Sequence, residues 1–182
     1  MEIINSLPFP LVPTTLFIFG LTIGSFTSVC IYRLPRKESI IFPGSHCPEC
    51  SAPVSPLDNI PVLSFLILRG KCRDCKNSIS AIYPTVEVMT GLLFISGYFK
   101  FGLSFDFLVH LIVVPALVII TVIDIKHQII PDVITLPGII LGLAAGSYAA
   151  GFFNSFMGFI LGGGLFYLMA ILSNGGIGGG DI

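Results

Sequence analysis

Apolar runs long enough to cross a bilayer recur along this 182-residue chain, and they constrain its fold more than any other feature. They are Leu11–Tyr32, Tyr83–Phe99, Phe105–Ile123, Val133–Phe153 and Phe156–Leu172, the shorter ones reaching across by tilt. Hydrophobic residues make up 54% of the chain and charged ones 10%, more apolar surface than a soluble core of this size needs. The expected fold class is therefore an all-α polytopic membrane protein with about five transmembrane helices. Met1–Asn5 lacks the basic region of a cleavable signal and the first run can span, so it reads as a retained helix. The net charge of −1 says nothing about nucleic acid, and with no basic stripe interleaved with aromatics to suggest it, nucleic acid is not the expected partner.

The first run carries Gly20-x-x-x-Gly24, which lets another helix approach closely in lipid. Arg33-Leu34-Pro35-Arg36-Lys37 stops the span, and from there to Ser80 the chain is polar and rich in turns, with Pro43-Gly44, Pro53, Pro56 and Asp58-Asn59-Ile60-Pro61. The expected organisation is an N-terminal helix (1–32), a small extramembrane domain inserted between helices 1 and 2 (33–81), and a membrane core (82–182). Seven of the nine basic residues, Arg33, Arg36, Lys37, Arg69, Lys71, Arg73 and Lys76, lie in or at the edge of that inserted domain. The positive-inside rule makes the domain cytoplasmic and puts the N-terminus outside. Counting spans from there puts Lys100 and Asn154 in the outer turns, and Asp124 and Asp181 at the cytoplasmic face, each at the inner end of an inward-running helix.

The inserted domain carries Cys47-Pro48-Glu49-Cys50 and Cys72-Arg73-Asp74-Cys75. Two such knuckles, about twenty residues apart, complete a tetrahedral sulfur site for zinc. Disulfides are the competing reading, disfavoured in the cytosol. A domain of about fifty residues buries little core, so metal supplies stability, and four thiolates leave no open position for catalysis. His46 reads as a bystander and Cys30 as a small packing residue within the first span. Glu87, one turn into its span, reads either as an interfacial carboxylate or as a contact for a positively charged substrate terminus or a methyl donor.

Asp124 and Asp181 at one depth suggest an aspartyl protease pair. In such a pair one carboxyl keeps a proton and polarises the scissile carbonyl while the other activates water. Gly178-Gly179-Gly180 before Asp181 ends a helix and allows close backbone approach, with Gly178 and Gly180 supporting the acid. Asp132 after Pro131 reads as a cap for the next helix and ranks behind Asp124 as a catalyst.

Strings along nearly the whole chain resemble the bacterial type IV prepilin peptidases. They are Gly24-Ser25-Phe26, Ile31-Tyr32-Arg33-Leu34-Pro35, Pro43 through Cys50, Asp58 through Ser64, Leu68 through Cys75, Tyr83-Pro84-Thr85-Val86-Glu87, Asp124 through Asp132, and Gly178-Gly179-Gly180-Asp181. The resemblance implies a GxGD-type aspartyl protease of the cytoplasmic (inner) membrane that removes the basic leader of type IV prepilins and pseudopilins. It also implies N-methylation of the new terminus with S-adenosylmethionine. Carried over, Asp124 and Asp181 match the catalytic aspartates, and Cys47, Cys50, Cys72 and Cys75 the zinc cysteines. The chain departs from the family pattern at Ser28, where Asn is usual, and at Ile82, where Arg is. The pattern normally continues past Gly-Gly-Gly-Asp into further helices, whereas Ile182 is the last residue here. The expectation is a chain short of C-terminal helices with weak or no peptidase activity, since no following helix fixes Asp181 and a nearby α-carboxylate opposes its ionisation. Two other classes compete: a non-catalytic membrane scaffold bearing a zinc domain, which leaves the paired aspartates unexplained, and a proton-coupled transporter, which would set its acids nearer the midplane.

Overall fold

The computed structural model describes residues 11–172. Asp181, Gly178, Gly180 and the N-terminal Met1–Asn5 lie outside the described residues. Lipid offers backbone N–H and C=O groups no water, so an apolar run that crosses it closes its own hydrogen bonds as a helix. Five helices of spanning length result: α1 (Leu11–Arg33), α3 (Ile82–Phe101), α4 (Phe105–His127), α5 (Asp132–Ala150) and α6 (Phe152–Leu172), with a short α2 (Leu63–Ile67) in the inserted segment. Among the described residues β pairing is confined to two isolated bridges in that segment. The chain forms two compact units, Met1–Val122 and Ile123–Ile182.

In the first unit α1 and α3 pack at very short range. Between helices in lipid the apolar drive is weak, so small residues that let backbones touch carry the contact. A Cβ built on Gly20 would stand 2.6 Å from Gly91 Cα, and one built on Gly24 would stand 2.6 Å from Glu87 Cα. The Gly20-x-x-x-Gly24 step is thus the seam against which Glu87 is laid. Thr27, Val86, Thr90 and Phe94 are wholly buried along it, and the Thr90 hydroxyl is satisfied by the Val86 carbonyl at 2.8 Å. The α4 helix joins this unit through His110, whose ring lies against Gly97 and meets the Leu93 carbonyl at 3.0 Å.

In the second unit α5 and α6 form a hairpin turned at Gly151, whose φ of 87° suits a residue without Cβ. The Ser147 and Ser155 hydroxyls both donate to the Leu143 carbonyl, at 2.6 and 3.2 Å. Several helix ends differ from expectation. The turn between α5 and α6 falls at Gly151, so Asn154 lies in α6, where it donates to the Ala150 carbonyl at 2.9 Å. Lys100 belongs to the last turn of α3. The α4 helix runs one turn past Ile123 and stops where Gln128 turns left-handed (φ 54°), its N–H donating to the Asp124 carbonyl at 2.8 Å.

Candidate functional site

The two cysteine knuckles are built alike. In each, the N–H of the first cysteine donates to the carbonyl five residues on (Cys47 to Ala52, Cys72 to Asn77, both 2.9 Å), and the N–H four residues on returns to the cysteine carbonyl (Ser51 to Cys47 at 2.9 Å, Lys76 to Cys72 at 3.2 Å). The residue making that return bond is left-handed in both, Ser51 at φ 58° and Lys76 at φ 60°. A bridge flanks each turn, His46 with Pro53 and Lys71 with Ser78. These two folded turns bring the sulfurs together: Cys47 and Cys75 are 3.8 Å apart, Cys50 and Cys72 4.0 Å, and all four Sγ atoms lie within 4.8 Å of one another.

Sulfurs in a tetrahedral four-thiolate site with metal–sulfur bonds of about 2.3 Å stand about 3.8 Å apart, so the set fits a metal ion. The electrostatics agree. Backbone N–H groups of Cys50 and Glu49 lower the Cys47 thiol to about 7. Cys75, which the Asn77 backbone N–H draws toward thiolate, is nonetheless pushed up to about 12 by desolvation and by the sulfurs of Cys72, Cys50 and Cys47. Four thiols this close cannot all ionise without a cation among them.

Further contacts tie the module down. Asp58 accepts two hydrogen bonds of 2.6 Å from Arg73, on the second knuckle, and this guanidinium holds its carboxyl below the usual carboxylate range. Arg33, at the C-terminal end of α1 and only 5% exposed, donates to the carbonyls of Ser39 and Gly44 at 2.9 and 3.0 Å. His46 meets the Gly44 carbonyl at 3.0 Å, and Cys30 is buried in α1. Sequence reasoning gave Arg33 only a charge. Its role as a clamp on the loop follows from burial, which no local pattern reveals.

Glu87 is 7% exposed and accepts the Val62 N–H at 2.7 Å. Val62 has φ 60°, unusual for a β-branched residue. Glu87 also lines a cavity of about 350 Å³ between the module and the module-proximal ends of α1 and α3, together with Ser25, Ser28, Tyr32, Arg33 and Tyr83. The described structure therefore brings together the four cysteines, and separately Glu87 with this cavity.

Asp124 lies exposed in the last turns of α4, just before Lys126 and His127. Asp132 is not the cap that its position suggested: Pro131 is the N-cap, and Asp132 opens α5 with no side-chain cap bond, its charge near the positive end of the helix. The juxtaposition of Asp124 with Asp181 falls outside the described residues.

Comparison with known proteins gives this arrangement its relatives. Residues 18–101 match the Bacterial Peptidase A24 N-terminal domain, and residues 111–182 match the Type IV leader peptidase family. The chain is 37% identical over 173 residues to a prepilin leader peptidase/N-methyltransferase of Bacillus subtilis, covering 92% of this chain and 68% of that protein. Proteins of the same name from Myxococcus xanthus (43% over 135 residues, 74% of this chain and 40% of that one) and Pseudomonas aeruginosa (34% over 173 residues, 81% and 59%) are also similar. The chain thus spans about two fifths to two thirds of the length of these relatives. No solved structure matches. With both family models matched in order along one polytopic chain, and a relative this similar over most of both lengths, the chain belongs to the type IV leader peptidase family, among the prepilin leader peptidase/N-methyltransferases.

Proposed function

We propose that this chain cleaves the basic leader of type IV prepilins and pseudopilins at the cytoplasmic face of the inner membrane and N-methylates the new terminus with S-adenosylmethionine. Asp124 and Asp181 are the peptidase acids: one holds a proton and polarises the scissile carbonyl, and the other deprotonates the attacking water. Gly178 and Gly180 give Asp181 its close approach, and Asp132 supports the loop after α4. The observation that carries this reading is family membership across both halves of the chain.

The bound metal is zinc and its role structural, since Cys47, Cys50, Cys72 and Cys75 fill all four positions of a tetrahedral ion. The functional organisation is in three parts, 1–32, 33–81 and 82–182, with the N-terminus outside. Six basic residues between Arg33 and Arg73, and Lys126 at the end of α4, support that orientation. A substrate with a basic leader in the cytosol and an apolar helix in the bilayer presents its scissile bond at that face, where Asp124 is reached by counting spans.

The test is prepilin cleavage in membranes. Asp124→Asn and Asp181→Asn, each alone, are expected to lower the rate by about a hundredfold or more. Cleavage that survives either substitution would exclude the two-acid mechanism, and unchanged cleavage in both would favour a scaffold.

A further inference from the structure

The cavity beneath the metal module holds two unusual polar groups. The Glu87 carboxylate is 7% exposed and accepts from two neutral donors, the Val62 N–H of the loop and the Ser25 hydroxyl. Among the described residues the one ion pair is Arg73 with Asp58, and the buried guanidinium of Arg33 is spent on two carbonyls. Glu87 thus has no cation beside it. A second group, the Ser28 hydroxyl, is 4% exposed, lines the same cavity and has no hydrogen-bond partner among the described residues. A buried carboxylate without a counter-charge is costly, and an orphaned hydroxyl adds to the cost. Both are relieved by a cationic hydrogen-bond donor in the cavity, whose wall also includes Tyr32, Phe65 and Tyr83, and whose two guanidinium groups, Arg33 and Arg73, are engaged by the Ser39 and Gly44 carbonyls and by Asp58.

We propose that this cavity binds the free α-ammonium group of an apolar N-terminal residue, with Glu87 as its counter-charge and Ser28 as a second contact. The proposal rests on the N-methyltransferase reading above and names its acceptor site. S-adenosylmethionine is also cationic and carries an ammonium of its own, but it arrives from water. The amine stands at the end of an apolar helix, at the depth of Glu87 in the first turns of α3. An ammonium cannot attack a methyl group. Glu87 takes one N–H proton, and the freed lone pair attacks the methyl carbon of the sulfonium. The S–C bond breaks with its electrons going to sulfur, leaving a thioether, a secondary ammonium and a protonated Glu87 that returns its proton to solvent.

The test is binding of a phenylalanine-initiated peptide amide to the full chain in detergent, against its N-acetylated twin. The free amine is expected to bind about tenfold tighter or more. Glu87→Gln keeps an acceptor for the Val62 N–H and is expected to erase that preference while zinc content and melting temperature hold. Ser28→Ala is expected to narrow it by a few-fold. Equal binding of the twins by the wild type would overturn the proposal, as would a preference retained in Glu87→Gln, or one in which Glu87→Gln weakens only sulfonium binding. If Glu87→Gln fails to fold, the wild-type comparison with Ser28→Ala still decides. A preference without methylation would sink the methyltransferase reading and leave this site standing, whereas methylation without a preference would do the reverse.

Discussion

Ser51 and Lys76 hold the same place in the two knuckles, and neither is glycine despite its left-handed backbone. The left-handed conformation costs an L-residue about 1–2 kcal/mol, and a β-branched one more. Ser51→Val is therefore expected to weaken metal retention against a chelator, while Ser51→Gly leaves it near wild type; equal retention by the two would show that this turn does not set the sulfur positions. Asp58 acts on the other knuckle. Because Arg73 depresses its folded pKa, its contribution is complete above the unfolded value of about 3.9 and is lost only as pH falls through the lower folded value. Asp58→Asn is expected to speed metal loss by a few-fold, equally at pH 7 and pH 5.5, in stopped-flow chelation. A difference that disappeared by pH 5.5 would contradict the assignment.

At the scale of elements, the α1–α3 seam depends on two glycines. With Glu87 Cα 2.6 Å from a Cβ at Gly24, the backbones must part for any larger residue. Gly24→Leu is expected to destabilise the first unit by about 1–3 kcal/mol or more, and Gly138→Leu in α5, where a Cβ meets nothing within 4 Å, by far less. Thermal unfolding of both variants in one detergent checks this, and comparable melting temperatures would refute the seam. The seam also bears on the cavity, because Glu87 and Ser28 line it from α3 and α1.

On the scale of the whole molecule, the metal module is held by few elements of its own: two folded turns, the short α2 and the contacts of Arg33, Asp58 and Glu87. Metal removal is expected to speed trypsin cleavage at the already exposed Arg69, Lys71 and Arg73, by loosening the folded turns that hold their backbone, while far-UV helical content changes little, since the spanning helices lie outside the module. Helix loss in proportion to metal loss would mean instead that the module props the spans.

Much was legible because bilayer thickness and metal geometry act through local spacing. Run length gave the five spans, and paired Cys-x-x-Cys gave the sulfur cluster. Helix ends were less legible: Gly151 and Gln128 stop helices through backbone angles that hydropathy does not encode. Asp132 looked like a cap because residue type alone was available, whereas the preceding extended backbone at Pro131 decided which residue caps. The sequence by itself determined a polytopic helical chain with a four-sulfur site and an acid at the end of its third span. Only the tertiary structure decided that Glu87 is buried without a counter-charge beside an orphaned Ser28. That fact arises where α1, α3 and the loop at Val62 converge, and burial of this kind depends on residues far apart in the chain.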